Sequence, residues 1–315
     1  MTNYILRRLI MAIPVVVLVS LIVFGMVRVL PGDLASTKLG GEASEEEVAQ
    51  YRTSLGFDKP LVVQYLEWSG NALKGDFGDS MITNRPTLTE LKERIPVTFE
   101  LALIAILASM AIGITVGTIA AVHEGSVLGD YVPTTLALLG LAIPGFWLAT
   151  LVITFSAIWW GWSPPLRYES ILTNPGTNLE KILPAAAVLC LPLAALTTRM
   201  TRASVVEVLR SDHIRTARAK GLSESIVIRR HGLRTALVPV ITVSGNQLAA
   251  LLGGTVIIEQ IFLLPGLGKL TFDSISQRDY TQLQASIFFF ALIVVLVNLL
   301  VDLSYGLIDP RVRYS

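Results

Sequence analysis

Apolar residues fall in six long blocks, at about 9–30, 97–122, 133–160, 183–200, 236–260 and 284–307, separated by polar stretches of very unequal length. A membrane-spanning helix needs about 20 mainly apolar residues. The pattern therefore predicts an all-α polytopic membrane protein with six transmembrane helices. No charged residue interrupts 101–122, 131–162 or 182–198. The first block follows Arg7-Arg8 and is longer than the apolar core of a secretory signal, about 7–15 residues. The "RVLPGDL" behind it offers no small-residue cleavage site, so it reads as an uncleaved first span.

The polar stretch 31–96 has its own helical signals. Ser44 to Glu47 has the form of a capping box, with Ser44 reaching forward and Glu47 reaching back. Gly56 suits the end of that helix. Pro60 opens a second over "PLVVQYLEWSGNAL", and "KGDFGDS" at 74–80 is turn chemistry. "LTELKERI" at 88–95 predicts a third short helix leading into the second span at Pro96. The expected organisation is 1–30 (N-terminus and first span), 31–96 (a small helical domain) and 97–315 (a five-span core with a charged loop at about 199–235).

Positive charge decides which side each loop occupies. Arg7 and Arg8 precede the first span; 199–234 carries nine Lys/Arg, and Arg311 and Arg313 follow the last span. The loops 161–182 and 261–283 hold two each, and 31–96 holds seven Lys/Arg against eleven Asp/Glu. Long segments translocate largely regardless of charge. Both termini and 199–234 are therefore expected in the cytoplasm, with 31–96 an extracytoplasmic domain.

Composition agrees. The chain is 52% hydrophobic and 16% charged, against about 25% charged in a typical soluble domain; its mean hydropathy is +0.62. A net charge of +1 gives no sign of a nucleic-acid partner. The single cysteine, Cys190, rules out an internal disulfide and a multi-Cys metal site. No G-x-x-x-x-G-K-[ST] phosphate loop is present; "PGLGKL" at 265–270 lacks the spacing and the hydroxyl residue. The chain is thus expected to bind no cofactor and to catalyse no reaction, and uphill transport would need nucleotide hydrolysis on another chain. Glu100, Glu259 and Asp302 lie near span ends, which disfavours a proton relay. Proline and glycine recur in the third to fifth spans, at Pro144-Gly145, Pro184, Pro192, Pro239, Gly245 and Gly253-Gly254. Their concentration favours a pathway there, although close packing explains any one glycine as well. Asn246 and Gln247 are candidate pathway-lining residues, with interhelical hydrogen bonding as the alternative.

The densest positive run is "SDHIRTARAKGLSESIVIRRHGLRT", residues 211–235. It predicts two short helices. Ser211 caps the first and Gly221 ends it, while Ser223 caps "ESIVIRRHGLR". Ile214, Ala217 and Gly221 fall at i, i+3 and i+7 and form a small ridge suited to a partner's groove, with Arg215 and Arg218 pointing elsewhere. A helix lying on anionic headgroups is the other local reading.

This run resembles the coupling loop of binding-protein-dependent ABC permeases, whose motif reads E-A-A-x-x-x-G. The aligned residues are Arg215, Thr216, Ala217 and Gly221, so Arg replaces Glu and Thr replaces the first Ala; Arg234 after Leu233 also departs from the downstream Leu-Pro. "IRTARAKGLS" with "HGLRTALVPV" is similar to the dipeptide/oligopeptide/nickel branch. The likeness to its B-type subunit continues through "YILRRLIMAIPVVVLVSLIVF", "LGFDKPLVVQYLEW", "GDFGDS", "RIPVTFELA", "VIIEQIFLLPGLGKL" and "LVDLSYGLIDPRVRYS".

The resemblance implies one of two transmembrane subunits of an importer for short peptides in a bacterial or archaeal cytoplasmic membrane. Its partners would be a second, C-type permease subunit, two ATPase subunits or domains carrying ATP and Mg, and an extracytoplasmic solute-binding protein. Ile214, Arg215, Thr216, Ala217, Arg218, Lys220 and Gly221 would contact an ATPase. The alternatives are the same machinery carrying nickel or another small solute, a self-sufficient secondary carrier, and a non-transporting membrane scaffold.

Overall fold

The computed structural model describes residues 2–29, 44–54 and 58–308. Among these, regular structure is helical throughout. The helices are α1 (Thr2–Val29), α2 (Glu45–Ser54), α3 (Leu61–Leu73), α4 (Thr87–Val122), α5 (Val132–Ala142), α6 (Gly145–Trp160), α7 (Pro175–Leu209), α8 (Asp212–Ala219), α9 (Leu233–Ile261), α10 (Leu267–Ser276) and α11 (Tyr280–Ile308). Wide π-helical turns precede α5, at Val127–Tyr131, and α9, at Val227–Gly232.

Five helical stretches are long and apolar enough to cross a membrane: Leu6–Val29, Thr87–Val122, Pro175–Leu209, Glu224–Ile261 and Tyr280–Leu303. The third expected span is a broken one. Val127–Ala142 and Gly145–Trp160 meet at a bend of 97° and give a sixth span when taken as one. Ile143 turns extended (ψ 121), as the residue before a proline prefers. Pro144 is also extended (ψ 129) and Gly145 restarts the helix. By contrast Pro14, Pro96, Pro184, Pro192 and Pro239 all sit inside continuous helices. The separate short helix expected at 88–95 is therefore absent; it is the first part of α4, which runs through Pro96 without a stop. The fourth apolar block is likewise the visible half of a 35-residue helix. Asn174 caps it by accepting the Thr177 N–H at 3.3 Å, and Pro175 takes the first helical position.

Packing divides the chain into two compact units. One contains Thr2–Thr98 and Pro265–Leu296. Here Phe77, Leu91, Leu267, Leu270 and Ala285 form a core joined by Phe288 and Phe289. The buried Asp279 carboxylate accepts the Ser80 hydroxyl and the Met81 N–H, pinning the 76–84 turn to the start of α11. The capping box forms as expected: Glu47 accepts the Ser44 N–H at 2.9 Å and Ser44 Oγ accepts the Glu47 N–H at 3.3 Å. The Ser44 N–H and the Ser44 hydroxyl, which donates to the same carboxylate at 2.9 Å, hold the Glu47 carboxyl below its usual value. Pro60 directly precedes α3, whereas the expected stop at Gly56 lies outside the described residues.

The other unit contains Phe99–Leu264 and the stretch from Val297 onward. It is organised around α7, which packs against α5, α6 and α9. Gly113 and Gly117 bring α4 against the same helix. A Cβ at Gly117 would lie 2.5 Å from the Thr198 carbonyl oxygen, and one at Gly113 2.5 Å from Thr197 Cβ. Small residues four apart allow this approach of two backbones.

Candidate functional site

The charged loop forms where α7 ends. Arg210 closes that helix, and Ser211 turns extended (φ −75, ψ 158) to start α8. Ser211 stands at the N-cap position without capping through its side chain. Its hydroxyl turns back to donate to the Val208 carbonyl. At the other end Gly221 has φ +76. Its N–H donates to the Arg218 carbonyl at 2.9 Å and the Leu222 N–H donates to the Ala217 carbonyl at 3.4 Å. This is the paired-bond helix stop that places glycine in the left-handed region.

The expected second short helix is not separate. A helical turn at Glu224–Ile226 passes through the π-helical turn directly into α9. Ser223 precedes it with extended backbone and no side-chain cap. The ridge on α8 also faces inward. Ile214 and Ala217 are buried against Val227, with Val208 and Leu209 of α7 packed beside them. Arg215, Thr216, Arg218, Lys220 and Gly221 are exposed. Nothing lies within 4 Å of a Cβ built on Gly221. The reason is local: α8 is too polar to bury more than one narrow stripe, and its nearest apolar surface is the helix it has just left. Arg218 donates two bonds to Glu224, at 3.1 and 2.6 Å, which raise its pKa. Arg215 reaches Asp212 at 3.3 Å.

The two polar residues of α9 separate. Gln247 is buried; its Oε1 accepts the Thr197 hydroxyl and its amide donates to the Leu193 carbonyl, both at 3.3 Å. This is interhelical bonding to α7. Asn246 is exposed.

Sequence reasoning missed three features of this unit. Asp130, 2% exposed, takes a two-pronged pair from Arg202, with Nε–Oδ1 2.5 Å and Nη2–Oδ2 2.7 Å. It also accepts the Gly125 N–H at 2.9 Å and the Thr134 hydroxyl at 3.4 Å. Glu100, read only as a span-end carboxylate, accepts the Tyr168 hydroxyl at 2.7 Å and the Asn178 amide at 3.3 Å. Burial and the Glu100 bond push the Tyr168 phenol well above its usual value. Lys181, expected in a loop, is fully buried in α7 and donates to the Leu166 carbonyl at 3.0 Å. The Gly113/Gly117 contact had a readable signal, the small-x-x-x-small spacing within an apolar run. The Asp130–Arg202 pair had none, because its members stand 72 residues apart.

Long apolar helices and a charged turn anchored within its own unit fit the inner membrane component of a transport system, and the sequence comparison shows that family. The chain belongs to that family: residues 113–314 match the binding-protein-dependent transport system inner membrane component, and residues 1–102 match its N-terminal part. It is the transmembrane subunit of a binding-protein-dependent ABC importer. A peptide transport system permease protein of Brucella abortus (strain 2308) is 42% identical over 315 residues, with 100% of both chains covered. The glutathione transport system permease protein GsiC of Escherichia coli (strain K12) is 40% identical over the same full length. Among solved structures, the inward-facing MetNI methionine ABC transporter aligns with a TM-score of 0.57 at 17% identity, covering 70% of this chain and 96% of that one. An amino acid ABC transporter aligns with a TM-score of 0.55 at 12% identity, covering 69% and 94%. At that identity these two speak for the fold alone.

Proposed function

We propose that this chain forms half of the translocation pathway for short peptides, and that its α8 docks on a separate ATPase chain. The observation that carries this reading is the construction of α8. One narrow stripe fixes it to Val227 of the π-helical turn and the end of α7, and its other side is exposed and cationic. A helix held that way behaves as a rigid extension of the span. Arg215, Thr216, Arg218, Lys220 and Gly221 meet the partner, while Ile214 and Ala217 hold the helix in place. ATP and Mg belong to two ATPase subunits or domains. Closure of those subunits pushes α8 and shifts the spans between two states. The remaining partners are a C-type permease and an extracytoplasmic solute-binding protein. Both termini and α8 face the cytoplasm of a bacterial or archaeal cell, and 31–96 forms a small domain on the outside, followed by the five-span core of 97–315. Peptides are favoured as cargo because the full-length relatives are named for peptide and glutathione transport. Asn246 lines the pathway.

Vesicle uptake tests the reading. The chain is reconstituted with its C-type partner, ATPases and binding protein, and supplied with labelled peptides of graded length and with nickel, with and without ATP. Peptide uptake that needs every component and ATP is expected. Uptake without the ATPases would establish a self-sufficient carrier, nickel uptake alone would move the cargo to metal, and no flux from the full set would leave a scaffold.

A further inference from the structure

We propose that Asp130 and Arg202 are the positioning pair through which movement of α8 reaches the broken helix pair α5–α6. The inference rests on the docking of α8 proposed above. Three links carry it, all inside one packed unit.

The first link is α8 to α7. Ile214 and Ala217 are buried against Val227 of the π-helical turn with Val208 and Leu209 packed beside them, so a tilt of α8 bears on the last turn of α7. The second is α7 itself. From Leu209 back to Arg202 the helix is unbroken, a distance of about 10 Å at roughly 1.5 Å per residue. The third is the Arg202–Asp130 contact, with its two parallel bonds at 2.5 and 2.7 Å. A two-pronged guanidinium–carboxylate pair fixes orientation as well as distance, which a single-point contact does not.

Asp130 is well placed to pass the motion on. It sits in the π-helical turn that runs into α5, and its carboxylate also holds the Gly125 N–H and the Thr134 hydroxyl. It therefore grips both the turn after α4 and the first turn of α5. Helix α5 then stops at Ile143–Pro144, where α6 departs at 97°. A broken helix is the element most able to change its angle, because no continuous backbone ladder opposes it. The inner part of α4 provides a fixed base: a Cβ on Gly117 would lie 3.1 Å from the Arg202 backbone nitrogen and 2.5 Å from the Thr198 carbonyl oxygen. A second contact, Arg210 to Glu124 at 2.9 Å, joins the same two segments. Both of its side chains are largely exposed, at 69% and 42%, so solvent screens it and it couples the segments less firmly.

The test uses the assembled importer in nanodiscs and three readouts: recovery of complex by size exclusion, ATP hydrolysis, and peptide taken up per ATP hydrolysed. Cysteine crosslinking from position 216 to the ATPase reports docking separately. For Arg202→Gln and Asp130→Asn, assembly, hydrolysis and the crosslink should persist. Peptide per ATP should fall about tenfold, within the range usual for coupling between sites. Arg202→Lys keeps the charge but not the second prong, and should fall in between. The double variant should be no worse than the worse single, because both remove one link. An unchanged ratio in Arg202→Gln, or singles that multiply in the double, overturns the proposal. A variant that fails to assemble shifts the decision to Arg202→Lys, for which a wild-type ratio overturns it equally. Absence of the crosslink in a complex whose only change is Thr216→Cys overturns the docking reading itself, and the route built on it.

Discussion

Replacing Gly117 by alanine is the sharpest test of the α4–α7 contact. The new Cβ would stand 2.5 Å from the Thr198 carbonyl oxygen, 2.7 Å from Thr201 Cβ and 3.1 Å from the Arg202 nitrogen. Two of these atoms are backbone, so no rotamer change relieves the clash. Ordinary contact begins near 3.4 Å, and the helices must part by about 0.9 Å to reach it. A gap of about 0.5–1 Å forfeits a quarter to a half of each dispersion contact across the interface. Overpacking of this kind costs about 1–3 kcal/mol. Opposing it, alanine stabilises a helix over glycine by roughly 1 kcal/mol. Gly253→Ala isolates that second effect, because nothing lies within 4 Å of its Cβ. The two alanines should therefore differ by about 1–3 kcal/mol, Gly117→Ala being the less stable. Thermal unfolding of the isolated chain in one detergent checks this. A melting point for Gly117→Ala at or above that of Gly253→Ala would refute the argued backbone contact.

Other expectations follow from the charged loop and the capping box. Ile214→Ala removes a fully buried side chain and should cost about 2–5 kcal/mol locally, seen as faster tryptic cleavage at Arg215, Arg218 and Lys220 with membrane insertion intact. Gly221→Ala strains a residue at φ +76 by about 1 kcal/mol, and amide exchange at Leu222 should rise in step. Arg218→Ala breaks an exposed pair with Glu224 and should alter stability by less than about 1 kcal/mol, the change shrinking further at high salt. Glu47 has a depressed carboxyl value, so its contribution is present above the usual 4.5 and is lost as pH falls through the folded value. Amide protection factors at the start of α2, taken relative to the unfolded rate at each pH, should fall on acidification, and Glu47→Gln should remove most of that pH dependence.

The candidate spans were readable because a span announces itself: among the described residues, each apolar block falls within a helix or, at 133–160, within the bent pair. What the blocks did not show was where polar residues continue a helix. Asn178 and Lys181 extend α7 upstream of its apolar part, where the Leu166 carbonyl accepts from Lys181 and the Glu100 carboxylate and Glu169 carbonyl accept from the Asn178 amide. That pairing is tertiary and leaves no periodic trace. Proline was an equally incomplete guide. Five prolines lie in continuous helices and only Pro144, followed by Gly145, breaks one among the described residues. The spacing of Ile214, Ala217 and Gly221 reads as a ridge for a partner's groove, whereas Ile214 and Ala217 pack on their own chain and Gly221 is exposed. Spacing alone could not say which, since a helix of eight residues fits its own chain as readily as a partner's groove.

That last distinction changes how the loop motif is understood. Two of its positions match the permease pattern, Ala217 and Gly221, and both are required within the chain. Ala217 is 6% exposed on the stripe packed against Val227, with Val208 and Leu209 beside it, where a larger side chain would lift α8 from its seat. Gly221 occupies the left-handed position of the helix stop. The two departures, Arg215 for Glu and Thr216 for Ala, lie on the exposed side and meet no tertiary constraint. If α8 docks on an ATPase, the matched positions build the helix and the departing ones are read by the partner. Exchanging Arg215 and Thr216 for Glu and Ala should then leave tryptic cleavage at Arg218 and Lys220 unchanged while weakening a crosslink to the cognate ATPase made from a cysteine placed at the exposed position 219. An altered protection pattern with an unaltered crosslink would reverse the two roles.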